Sequence, residues 1–172
     1  ILWFQKLLGL IKRKALMIKI NIISNNKAWF RYIKDPIKLI ENKIKNLNKN
    51  FKKYKANIIF FTLLLSGEGE IKKLNKRFRK KNKSTDVLSF PFYNKKDLEK
   101  KLKKNREIYL GDIIININKI KNRNDKAVFK HQLDKLWVHG LVHLFGYDHK
   151  KNRDFLKMKN VEKKFLSYLK ND

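Results

Sequence analysis

From residue 17 apolar and polar side chains alternate, Ile18-Lys19-Ile20-Asn21-Ile22, which is the period of two of a half-buried strand and predicts a strand over residues 17–24. Asp35-Pro36 then reads as a helix start, with the aspartate as cap and proline in the first turn, and Ile37, Ile40, Ile44 and Leu47 follow at helical spacing. Residues 57–65 form a nearly unbroken apolar run that stops at Ser66-Gly67, as a buried strand does. A helix is predicted over residues 68–80 and a strand over residues 85–92. Pro91 puts that strand at a sheet edge or ends it, because proline has no N–H for a second neighbour. The charged stretch 95–106 predicts loop or loose helix, and residues 107–117 a strand containing Gly111-Asp112. From about residue 124 a long amphipathic helix carries Val128, Leu133, Leu136 and Trp137, and residues 153–170 predict a closing helix. Strands interleaved with helices predict one α/β or α+β domain, a small mixed sheet of about four strands packed with helices.

At 172 residues the chain suffices for one sizeable core and not for two, so residues 17–172 are expected to form one domain. Residues 1–16 are apolar and basic, precede the first methionine, Met17, and lack the small-residue cleavage site of a signal peptide. They are expected to be an N-terminal extension outside the domain. No apolar run nears the ~20 residues that span a bilayer, so no membrane partner is expected. Zero cysteines removes disulfides and thiolate ligands, fits a reducing compartment, and leaves any metal to nitrogen and oxygen donors.

The net charge of +29 points to polyanions, and nucleic acid is the first partner expected. Composition discounts the charge. Of 44 basic residues only seven are arginine, and asparagine and isoleucine are also heavily used, the mark of AT-rich coding that spreads lysine without selecting a face. Arginine is therefore the informative cation in this chain.

The segment His139-Gly140-Leu141-Val142-His143-Leu144-Phe145-Gly146-Tyr147-Asp148-His149 holds three of the four histidines at the spacing H-x3-H-x2-G-x2-H. On a helix, positions four apart share one face with Cβ atoms about 6 Å apart, so His139 and His143 reach one ion. Gly146 is placed to close the helix in the left-handed conformation and return the chain so that His149 reaches the same ion from a loop. Three nitrogens leave one tetrahedral position open, the catalytic arrangement for zinc. His131 lies eight residues before His139, about 80° away around a helix, and is expected at the surface or in packing. Metzincin peptidases share the spacing but place a glutamate base after the first histidine. Here that residue is Gly140, which takes no proton, so peptidase chemistry is disfavoured while the metal site survives.

With Leu74-Asn75-Lys76-Arg77-Phe78-Arg79, Thr85-Asp86-Val87-Leu88-Ser89-Phe90-Pro91 and Gly111-Asp112-Ile113 ahead of the histidine motif, the chain resembles the YbeY family of bacterial rRNA maturation factors. The four blocks cover residues 57–169, and the match is thin before residue 57. The resemblance implies one α/β domain in which His139, His143 and His149 bind one zinc ion on the C-terminal helices. It also implies a single-strand-specific, metal-dependent endoribonuclease of rRNA processing, notably of the 16S rRNA 3′ end, and of ribosome quality control. Single-stranded rRNA and ribosomal particles are then the expected partners and the cytoplasm the expected location, with no small-molecule cofactor.

The family pattern L-N-x-x-aromatic-R places the functional arginine at Arg79, whose planar fork suits phosphate oxygens. Arg79 and His139 are the expected catalytic residues, and Arg79, Ser89 and Tyr147 the expected substrate contacts. Arg77 is expected to touch the RNA backbone or lie free on the surface. Asp148 reads equally as a residue that orients a ligand or assists as a base and as a plain turn former. The hydroxyls of Thr85 and Ser89 serve either phosphate or the local backbone. Trp137 and Phe145 are expected in the core. Two other functions fit the residues less well: a non-enzymatic ribosome-assembly factor with a structural metal, and a metal-dependent hydrolase of another class.

Overall fold

The computed structural model describes residues 16–50, 57–149 and 152–169. The extension expected over residues 1–16 lies outside them except for Leu16, which already belongs to the first strand, β1 (Leu16–Ser24). A four-residue turn of helix, α1 (Trp29–Tyr32), follows, for which the sequence pattern carried no signal. It is held by one large residue: Trp29 is fully buried and donates its indole N–H to the Ser66 carbonyl at 3.0 Å.

Helix α2 (Pro36–Lys49) begins as expected, the Asp35 carboxylate accepting the Lys38 N–H at 2.8 Å, and buries Ile40, Ile44 and Leu47. Near its end Asn48 donates to the Ile18 carbonyl and accepts the Ile18 N–H, both at 2.8 Å, satisfying backbone groups of an edge strand. Then come β2 (Asn57–Ser66), α3 (Glu68–Arg79), β3 (Val87–Pro91), α4 (Lys95–Lys104) and β4 (Glu107–Asn116). A short 3-10 turn leads into α5 (Lys126–Leu144), and α6 (Asn152–Tyr168) completes the described chain. Among the described residues no helix is long and apolar enough to cross a membrane.

The four strands form one mixed sheet in the order β1-β2-β4-β3. β1, β2 and β4 run parallel, and β3 is antiparallel at the edge, where Pro91 needs no second partner. Helices α2, α5 and α6 share one core with one sheet face, and Leu98 joins α4 to it. Helix α3 lies on the other face, over a smaller cluster of Ile71, Leu88 and Ile114. Burial on both faces explains why Ile113-Ile114-Ile115 in β4 does not alternate.

Stretch 95–106, expected as loop or loose helix, takes the helical alternative. It is a helix through Lys104, capped by Asn94, whose side chain accepts the Asp97 N–H at 3.0 Å. Its only fully buried residue is Leu98, so the apolar signal that would have marked it is nearly absent.

β4 carries an irregularity. Its register with β2 shifts between Phe60 and Thr62, opposite Leu110-Gly111. Gly111 has φ +130°, and a Cβ there would lie 2.1 Å from the Phe90 carbonyl oxygen, so the position admits only glycine.

Candidate metal centre

Helix α5 ends in the geometry its sequence implies. Gly146, at φ +82°, donates its N–H to the His143 carbonyl at 2.8 Å, and the Tyr147 N–H reaches the Val142 carbonyl at 3.3 Å. This paired closure is a Schellman motif, which reverses the chain and brings His149 back beside the last turn. Ring nitrogens of His139, His143 and His149 all come within 4.8 Å of one another, and the Nε2 atoms of His139 and His143 are 3.2 Å apart.

The far side of each helical imidazole is committed. His139 Nδ1 lies 2.7 Å from Glu162 Oε1 on α6, and His143 Nδ1 lies 2.8 Å from the Tyr147 carbonyl oxygen. Both partners accept only, so each ring carries its proton on Nδ1 and turns the Nε2 lone pair inward. Burial, and then the neighbouring His139, holds the His143 pKa below the usual histidine value of 6.5, which keeps the ring in the neutral, ligating form. Three convergent ring nitrogens, with acceptors behind two of them and no thiolate, fit a divalent first-row ion with an open coordination position.

The open side is a cleft of about 870 Å³ that His143 and His149 share with Arg79, Lys81, Ser89 and Lys95. Arg79 is the last residue of α3, on the opposite sheet face, yet it reaches around edge strand β3 and donates from Nη2 to the Ser89 carbonyl at 3.3 Å. Ser89 is buried and lines the same cleft. Tyr147 borders it too, but its ring belongs to the main core, and burial pushes the hydroxyl pKa far up. His139 opens to a second hollow of about 480 Å³ with Glu162, Lys135, Lys159 and Lys163.

The remaining residues separate cleanly. Asp148 accepts the His149 N–H at 2.7 Å, the contact of a turn former. Thr85 donates its hydroxyl to Asp86 at 2.9 Å, a local bond. Trp137 and Phe145 are in the core, Trp137 bonding Asp134. His131 is exposed on α5 and outside the histidine group. The Arg77 guanidinium lies over the Phe78 ring at 5.3 Å. Sequence reasoning missed Glu162, Lys81, Lys95 and Phe92, the last of which also lines the cleft. Glu162 sits among lysines of α6 with nothing local to mark it, and two lysines among so many carry no signal.

Fold and site together define a class: a single α+β domain with a three-histidine cluster able to hold a metal ion at an open basic cleft. The comparisons are more particular. Residues 22–170 match the family model described as Endoribonuclease YbeY, and the chain belongs to that family. The match begins well before residue 57, so the stretch where motif resemblance is thin belongs to it as well. Endoribonuclease YbeY of Pelagibacter ubique is 41% identical over 157 residues, 90% of this chain and 97% of that protein. The Ehrlichia canis endoribonuclease YbeY is 34% identical, with 89% and 93% covered. The solution structure of TM1509 from Thermotoga maritima superposes with a TM-score of 0.53 at 25% identity, over 88% of this chain and 89% of that one.

Proposed function

We propose that this protein is a zinc-dependent endoribonuclease that cuts single-stranded rRNA in the cytoplasm, notably in maturing the 16S rRNA 3′ end, and serves ribosome quality control on ribosomal particles. The observation that carries the reading is convergence. Arg79 comes from one side of the sheet and His143 and His149 from the other, and all three line one cleft.

His139, His143 and His149 would hold the ion, and three imidazoles with an open position suit zinc. Zinc bound there supplies Lewis-acid stabilisation of the negative charge that builds on a phosphoryl group. Arg79 offers its guanidinium to the same phosphate oxygens, and its bond to the Ser89 carbonyl holds it at the rim before substrate arrives. Glu162 and the Tyr147 carbonyl keep the imidazoles aimed. Lys81 and Lys95 draw the polyanion into the cleft. Gly140 supplies no carboxylate, so the peptidase arrangement is absent.

The test is cleavage of a labelled single-stranded fragment spanning the 3′ end of precursor 16S rRNA, at fixed physiological salt and controlled zinc. The wild type is expected to cut, His139→Ala to lose activity, and Arg79→Ala to cut about 10²- to 10³-fold more slowly. Equal binding by all three proteins with no cleavage would move the weight to an assembly factor with a structural metal.

A further inference from the structure

The sheet face that carries α3 is only partly covered by it. Leu64, Leu88 and Ile114 lie in or against the cluster under α3, whereas on the same face Phe60 is 37% exposed between Ile59 and Phe61, both fully buried on the opposite face. Register makes Phe60 one member of a transverse row. It pairs with Lys19 on β1 and with Tyr109 on β4. Phe92, whose N–H donates to the Leu110 carbonyl at 2.8 Å, extends the row beyond the end of β3 and is 64% exposed. Ring centroids are 5.2 Å apart for Phe60 and Tyr109, and 5.8 Å for Tyr109 and Phe92.

This row ends in the metal cleft. Phe92 stands on the cleft wall with His143 and His149, so one ring belongs both to the open sheet face and to the proposed cleavage site. Tyr109 is held in place by its hydroxyl, which donates to Asp112 and lies 3.3 Å from the Thr62 hydroxyl. Glu107 and Asp112 are the acidic groups on this face of β4, and Asp112 is engaged by Tyr109. A row of two exposed rings flanking the half-buried Tyr109, beside a cation, is the arrangement on which unpaired bases stack, as sheet-based RNA modules do. A second copy is disfavoured as occupant, because it would bring a chain of net charge +29 against its equal.

We propose that single-stranded RNA entering the cleft continues across this sheet face, its unpaired bases stacking on Phe92, Tyr109 and Phe60 and a phosphate meeting Lys19. The inference rests on the nuclease reading and extends it to the nucleotides flanking the cut.

Two labelled single-stranded RNA fragments test it, one long enough to fill the cleft and one extended at both ends, with binding followed by fluorescence anisotropy over a salt series. Phe60→Ala is expected to reduce the advantage of the long strand over the short by about tenfold with an unchanged salt slope, since stacking releases no counterions. Phe60→Tyr should restore it, and Lys19→Gln should make the long strand's slope shallower by about 0.7, one single-strand phosphate contact. Circular dichroism melts verify that each variant is folded. An unchanged long-strand advantage in folded Phe60→Ala and in folded Tyr109→Leu overturns the proposal. So does loss of a concentration-dependent self-association in these variants, which would make the face an interface between copies. Wild-type protein that fails to cleave even the short strand overturns the nuclease reading itself.

Discussion

Each helical histidine of the centre offers one nitrogen because the other is already taken, by Glu162 for His139 and by a backbone carbonyl for His143. The two partners differ in what a substitution can reach: the carbonyl is beyond mutation, while the carboxylate is not. Removing Glu162 as Glu162→Ala frees the His139 ring to rotate and change tautomer, and metal affinity is expected to fall about 10- to 100-fold in a competition titration against a chromophoric chelator. Unchanged affinity would deny Glu162 its orienting role. The three-histidine cluster was legible in the chain because helical spacing and a helix-closing glycine are local rules. Glu162 was not, since its relation to His139 exists only once α6 packs on α5. Arg79 stood between these cases: resemblance marked it, but no local pattern says that it rounds the edge of a sheet to reach the histidines.

Among the elements, α5 shows most directly how packing restricts chemistry. Gly140 is buried, and a Cβ there would lie 2.7 Å from Ile113 Cγ2 on β4. The helix therefore sits on the sheet at a distance set by a missing side chain. A glutamate at this position, as in the metzincins, is sterically excluded and would also be a carboxylate forced into an apolar interface. Gly140→Glu is expected to destabilise the fold by more than about 3 kcal/mol through overpacking and buried charge, appearing as insoluble protein or loss of the cooperative melt. A soluble variant with a wild-type melting temperature would show that α5 can lift from the sheet. Strand β2 was legible as an unbroken apolar run, and strand β1 and helices α2, α3 and α6 from periodicity, because each has a buried face to pattern. Helix α4 and the turn α1 were not, since each is anchored largely by one buried residue, Leu98 and Trp29.

For the molecule as a whole, the centre links metal, protons and stability. A histidine with a depressed pKa is neutral in the folded state where the unfolded chain already binds a proton, so stability is lost as pH falls below about 6.5 toward the depressed value. The metal-free protein is expected to lose melting temperature between neutral pH and about 5.5, and His143→Gln to lose less over the same span. Bound metal should steepen the dependence, because protons compete for the same nitrogens. A melting temperature of the metal-free protein that stays flat across this range would remove His143 from the account. Sequence alone determined most of the elements, the class of fold, the three-histidine cluster and the basic character, because periodicity, capping and histidine spacing act within a few residues of chain. Tertiary structure alone decided that Arg79 shares one cleft with His143 and His149, that Glu162 stands behind His139, and that Lys19, Phe60, Tyr109 and Phe92 form one row. Those relations join elements distant in sequence, and they depend on strand order and register, which no local pattern encodes.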